Sequence, residues 1–139
     1  MEQLQGVPLT VLGVGVDLIE IERIRGALEA KSGPRFEKRV FTEGEIAYSR
    51  SKADPFPHFA ARFAAKEAVM KAFGTGWTAD VFWKGIEVWN NEKGRPFIRL
   101  NGKTAELAEK VSATEVHISL AHDRGRAVAV ALLLGKPAG

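Results

Sequence analysis

Residues 55–73 place Phe56, Phe59, Phe63 and Met70 at separations of three, four and seven, which commits the segment to a long helix with one apolar stripe. Asp54-Pro55 opens it as a cap followed by proline at the first helical position, and Gly74 stops it. Glu67 lies on the stripe, four residues after Phe63 and three before Met70. A carboxylate there has to be paired or bound to a metal, because an isolated buried charge is very costly. Lys71, four residues on, projects from the same side. A plain Glu67–Lys71 surface pair, worth only ~0.3–0.5 kcal/mol, accounts for the pattern equally well.

The rest of the chain must supply the partners of this helix. Residues 10–16 read as a short buried strand closed by the charge of Asp17. Residues 18–30 carry Ile21, Ile24, Ala27 and Leu28 at helical spacing, and Ser32-Gly33-Pro34 breaks that helix before a short basic segment, residues 35–40. Thr42 and Glu45 form a capping box for a helix over residues 43–50. Residues 76–84 read as irregular.

The second half changes period. Residues 86–89 and 96–100 predict two strands around a hairpin loop at 90–94. Residues 103–111 read as a helix, and residues 115–121 and 127–134 as strands joined by a tight turn at 123–126. The sum is an α+β fold, a small single domain over residues 1–139 with a mostly antiparallel sheet and helices packed on it. Residues 1–9 read as an N-terminal extension.

Several classes are excluded at once. There is no cysteine, so there is no disulfide and no thiolate nucleophile or metal ligand. No apolar run approaches the ~20 residues that span a bilayer. The N-terminus lacks the basic start and apolar centre of a signal peptide, which predicts a cytoplasmic protein without a membrane partner. The net charge of +3 permits an acidic partner without demanding one.

Beside Glu67 the candidate carboxylate is Asp17, whose plain role would be to cap the helix that follows. Gly13 and Gly15 are not a dinucleotide fingerprint, since the third glycine and the βαβ context are missing. Gly74-Thr75-Gly76 ends the long helix and can let backbone N–H groups approach phosphate oxygens. His117 and His122 are five residues apart in one strand and point to opposite faces, so they do not share a metal. His122, at the strand end, is the site candidate. Arg23, Arg25, Arg35, Lys38 and Arg39 form a basic cluster, either a solvated face or a docking surface for an acidic partner. Trp77, Trp83 and Trp89 read as packing residues of the core or of a subunit interface. Two carboxylates on one metal with a lysine one turn away would be equipment for a phosphate or pyrophosphate.

Taken together the motifs resemble one family. Gly13-Val14-Gly15-Val16-Asp17-Leu18 with Arg23-Ile24 resembles the opening signature of the holo-acyl-carrier-protein synthases, and Phe63-Ala64-Ala65-Lys66-Glu67-Ala68-Val69-Met70-Lys71-Ala72 is very close to their central motif. Gly74-Thr75-Gly76, Gly94-Arg95-Pro96 and His117-Ile118-Ser119-Leu120-Ala121-His122-Asp123 follow in the family's order, and the likeness covers about residues 10–134. The resemblance implies a 4′-phosphopantetheinyl transferase that moves phosphopantetheine from coenzyme A to a serine of apo acyl carrier protein in fatty acid biosynthesis, with adenosine 3′,5′-bisphosphate as the other product. It implies Mg²⁺ and a homotrimer with active sites between subunits. By position in the motifs, Asp17 and Glu67 would hold the metal and Lys71 would neutralise the pyrophosphate. Arg62, Arg95 and His122 would meet the adenosine 3′-phosphate and its neighbours, and Gly74 and Thr75 would approach the nucleotide by backbone. Arg23 and Arg39 would dock the carrier protein. The serine proton would pass to Glu67 or to water on the metal. Transfer to polyketide or peptide synthetase carriers is the neighbouring reading. A basic nucleic-acid-binding domain would leave Asp17 and Glu67 without work and lacks aromatics interleaved with lysines on a sheet.

Overall fold

The computed structural model describes residues 8–137, which run as β1 (Thr10–Glu20), α1 (Ile21–Glu29), α2 (Gly33–Val40), α3 (Glu43–Arg50), α4 (Phe56–Phe73), β2 (Ile86–Asn90), β3 (Pro96–Leu100), α5 (Gly102–Lys110), β4 (Ala113–His122) and β5 (Arg126–Gly135). Positions 1–7 of the expected N-terminal extension lie outside the described residues. Among the described residues the strands form two antiparallel sheets, one ordered β1-β5-β4 and one a β2-β3 hairpin. The α+β architecture is therefore as the periodicities predict.

Helix α4 lies across β1 and β5, and small residues on both sides set how closely. A Cβ at Gly13 would stand 1.8 Å from the Ala72 carbonyl oxygen, and one at Gly15 would stand 1.8 Å from that of Ala68. The two glycines thus exist for backbone contact with the helix, which is why they look like half of a nucleotide motif without being one. Ala127, Ala129 and Ala131 of β5 and Ala60, Ala64, Ala65 and Ala68 of α4 are fully buried in the same layer. The expected apolar stripe is one part of a broader buried face, with Phe59 and Met70 inside. Alanines carry most of the burial, whereas Phe56 and Phe63 are only partly covered. Gly74 ends the helix in the left-handed region, φ 77°, with its N–H on the carbonyls of Met70 and Lys71.

The first strand is longer than the sequence suggests. It continues four residues past Val16 to Glu20, because Asp17, Leu18 and Ile19 pair with Ala129, Val128 and Ala127 of β5. Helix α1 starts at Ile21 with Glu20 at its cap position, so Asp17 neither ends the strand nor caps the helix. The basic segment is also helical: Pro34 opens α2 rather than merely breaking α1.

The capping box of α3 is present as predicted, Thr42 accepting from the Glu45 N–H and Glu45 from the Thr42 N–H at 2.8 Å. Glu45 does more than cap. Its Oε2 accepts from the Val88 N–H at 2.7 Å, and its Oε1 lies 2.9 Å from Lys66 Nζ. Lys66 is wholly buried and also donates to the carbonyls of Trp83, at 2.8 Å, and Ile86, at 2.5 Å. Burial lowers the Lys66 pKa and the Glu45 carboxylate opposes that shift. This ion pair joins α3, α4 and β2 inside the core.

The opposite face of the larger sheet is open. Val14, Val16 and Leu18 alternate outward along β1 with 61%, 54% and 58% of their surface exposed, and Val130 of β5 stands beside them. An apolar stripe of this kind on a sheet marks an interaction surface.

Candidate active site

The close helix–strand contact fixes the site. Asp17 follows Gly13 and Gly15 on the face of β1 that carries α4, and α4 presents Glu67 and Lys71 to it. Lys71 Nζ donates to Asp17 Oδ1 and to the Val16 carbonyl, each at 3.0 Å. The ammonium is about half exposed while the carboxylate is mostly covered. Lys71 is thus held by the strand, not by Glu67 as a simple helix-surface pair would have it. Glu67 Oε1 instead accepts from the Trp77 indole N–H at 3.3 Å. Burial raises the Glu67 pKa, and the nearby Asp17 charge adds to that, against the pull of Trp77 and Lys71.

This pair suits a hard cation. Both donors are carboxylate oxygens, and Glu67 carries a charge that burial and Asp17 make costly. Among the described residues no group of three or more acidic or histidine side chains is arranged to hold a metal. Mg²⁺ is commonly bound by one or two carboxylates with substrate phosphates and water completing its shell, so two carboxylates fit such an ion.

An aromatic wall continues from Glu67. The rings of Trp77 and Trp83 lie 4.1 Å apart and Trp83 stacks on Phe63 at 4.9 Å. These two tryptophans pack as expected, while Trp89 is partly exposed on Phe97. Arg39, exposed at the end of α2, lines the cleft that Trp77, Val81, Phe82 and Trp83 form. Arg23 is exposed on α1. Thr75 donates to the Gly76 carbonyl just past the Gly74 cap, so both residues sit on the exposed turn that leaves α4.

The predicted phosphate contacts divide. His122 is exposed at the end of β4, its ring centroid 5.9 Å from that of His58. Asp123 beside it is occupied by the turn: its carboxylate accepts from the Gly125 and Arg126 N–H groups, and these hold its pKa low. Arg62 is enclosed. It is 2% exposed, its guanidinium bonded to the His58 carbonyl and to Asn90 Oδ1 and stacked 4.1 Å over Tyr48, so it is not open to a ligand in this conformation. Arg95 lies on the β2-β3 hairpin over Phe97, at the rim of a separate cleft with Glu115 and His117. His117 pairs with Glu115 at 2.7 Å, both side chains about half exposed. Sequence reasoning missed Lys66, which sits next to Glu67 but is wholly inside the core, and His58. The signal for Lys66 was its place among consecutive alanines; nothing local marked His58.

The 4′-phosphopantetheinyl transferase superfamily model matches residues 13–131. A holo-[acyl-carrier-protein] synthase of Solibacter usitatus is 45% identical over 123 residues, covering 88% of this chain and 98% of the relative. The fold superposes on the crystal structure of the holo-[acyl-carrier-protein] synthase of Neisseria meningitidis with a TM-score of 0.82 at 27% identity, covering 89% of this chain and 98% of that one. It also superposes on the Bacillus anthracis enzyme, solved in complex with CoA (3′,5′-ADP), with a TM-score of 0.74 at 32% identity, covering 91% and 98%.

Proposed function

This chain belongs to the 4′-phosphopantetheinyl transferase superfamily, and from that premise we propose that it is a holo-[acyl-carrier-protein] synthase whose centre is Asp17, Glu67 and Lys71. The observation that carries the reading is Lys71 tethered to Asp17 across the β1–α4 contact with Glu67 beside it, in a chain matching such enzymes over nearly their whole length. The reaction moves 4′-phosphopantetheine from coenzyme A to a serine hydroxyl of apo acyl carrier protein. A P–O bond of the pyrophosphate breaks, and adenosine 3′,5′-bisphosphate leaves.

In phosphoryl-type transfer the protein chiefly positions groups and stabilises charge. Asp17 and Glu67 would hold Mg²⁺, which when bound neutralises the pyrophosphate and orients its oxygens. Lys71, half exposed and aimed by Asp17 and the Val16 carbonyl, offers a positive charge to the leaving phosphate. Trp77 fixes Glu67 through Oε1. Glu67, or a water beside it, would receive the serine proton. The turn at Gly74 and Thr75 meets the nucleotide by backbone, and His122 its 3′-phosphate. Arg95 would act from the hairpin toward a neighbouring subunit's site, and Arg62 would need to leave Asn90 to reach a ligand. Arg23 and Arg39 would dock an acidic carrier protein, with Arg39 at the cleft beside Trp77.

The open stripe Val14, Val16 and Leu18 supports a homotrimer with sites between subunits. A cytoplasmic place in fatty acid biosynthesis follows from the carrier, and residues 1–139 would form one such domain with 1–9 as its extension. Mixing the protein with apo carrier protein, coenzyme A and Mg²⁺ tests the reading by the mass gain of the carrier. Asp17→Ala, which takes away one of two metal carboxylates and the tether of Lys71, should keep the fold and lower the rate by at least ~10²-fold. Near-normal transfer by that variant would remove the centre proposed here.

A further inference from the structure

Resting on that reading, we propose that Trp77 is a positioning residue that selects the cation: its indole occupies one oxygen of Glu67, keeps the other for the metal, and so favours Mg²⁺ over Ca²⁺. Lys71, one helical turn from Glu67, is committed to Asp17 and the Val16 carbonyl. Among the described residues the one hydrogen-bond partner of the Glu67 side chain is the Trp77 indole N–H, at 3.3 Å on Oε1, and Oε2 has none. Two left-handed glycines bring the indole there. Gly74 at φ 77° and Gly76 at φ 70° turn the chain back on α4, so Trp77 returns to a residue ten positions earlier. Beyond it the Thr78 hydroxyl accepts from the Asp80 and Val81 N–H groups, which pins the segment that leaves.

The indole also has a fixed mount. Its ring lies 4.1 Å from that of Trp83 at 35°, and Trp83 stacks on Phe63 of α4. The Trp83 carbonyl accepts from Lys66 Nζ at 2.8 Å, and Lys66 is held in the core by Glu45 at 2.9 Å. The buried ion pair, which has no part in the chemistry, is thereby the foot of the wall that aims Glu67. A carboxylate with one oxygen on a fixed donor meets a cation through the other alone. That suits Mg²⁺, which demands near-ideal octahedral geometry, better than Ca²⁺, which takes carboxylates through one oxygen or two in a looser shell. Partners that orient a metal ligand in this way typically cost roughly 10–100-fold in metal affinity or activity when lost.

The test is calorimetric titration of the full chain, saturated with coenzyme A, with Mg²⁺ and separately with Ca²⁺, for the wild type and Trp77→Phe. Phenylalanine keeps a ring against Trp83 and removes the donor. The variant should bind Mg²⁺ about tenfold more weakly and lose less for Ca²⁺, so that the ratio of the two affinities moves toward Ca²⁺. The Mg²⁺ concentration for half-maximal carrier loading should rise in step, while the KM for coenzyme A at saturating Mg²⁺ stays. Equal losses for both cations, or none, in a variant that still loads carrier protein would overturn the role of Trp77 alone. The wild type gives a second measurement that does not depend on the variant folding. Its Trp77 indole N–H resonance should move when Mg²⁺ is added to the coenzyme A complex, while that of Trp89, stacked on Phe97 in the hairpin, stays. A Trp77 signal that ignores the cation would overturn the proposal. A wild type that binds neither cation and loads no carrier would overturn the functional reading together with it.

Discussion

Glu67 is where one residue's environment has a measurable sign. Its folded-state pKa is raised, so the fold prefers the protonated carboxyl. Its contribution to the metal-free protein is therefore fully present below its ordinary pKa and is lost as pH rises through the raised value. Glu67→Gln mimics the protonated form. The melting temperature of the metal-free variant should therefore gain on that of the wild type as pH climbs from about 5 to 8, by a few degrees at most. A difference that stays flat with pH would show that Glu67 is not strained in this way. Adding Mg²⁺ should close the gap for the wild type and leave the variant where it was, since a cation binds the ionised form.

At the scale of elements, the β1–α4 contact and the α3–α4–β2 ion pair do different work. Gly15→Val inserts a branched side chain where even a Cβ would stand 1.8 Å from the Ala68 oxygen, so helix and strand must part. Overpacking of this kind costs roughly 1–3 kcal/mol or more, and the shift should also separate Asp17 from Lys71. Activity falling further than stability, compared by denaturant melts and carrier loading, is the expected pattern; an unperturbed variant would refute the contact. Lys66→Met leaves Glu45 charged and buried without its partner, and breaking a buried pair costs about 3–5 kcal/mol. Urea melts should show that loss, and wild-type stability would mean the charge at Glu45 is relieved otherwise. These elements also explain what the sequence could and could not reveal. The capping box, the Gly74 stop and the hairpins rest on local chemistry and were legible. The length of β1 was not, because Asp17 and Leu18 are held in strand by β5, more than a hundred residues away. Separation along the chain also hides the partners of Lys71, 54 and 55 residues away, and the carbonyls that hold Lys66, 17 and 20 residues away, whereas a helix-local reading pairs Lys71 with Glu67. Asp17 and Glu67 stand out by their motifs, Glu67 also by its place on the apolar stripe, and Asp17 meets Lys71 in the structure, whereas Arg62 matched the pattern yet lies inside.

At the scale of the whole molecule, the outward stripe Val14, Val16 and Leu18 predicts association. Leu18→Glu puts a charge into that face without touching the α4 side of β1. Light scattering should find the wild type as a trimer and the variant as a smaller species with reduced carrier loading, since an active site between subunits is lost with the interface. A wild type that scatters as a monomer while fully active would dispose of the trimer. One more consequence belongs to the chain as a whole. Lys66 and Glu67 are adjacent in α4, yet one faces the core and the other the site. Successive helical positions differ by about 100°, so losing a single residue between Phe59 and Glu67 would carry the carboxylate into the place of the buried ammonium. An inserted residue would instead carry the carboxylate to the buried position of Ala68. Within this helix the reading frame of faces is fixed, and length changes among homologues should be confined to the loops, such as residues 30–32 or 76–82.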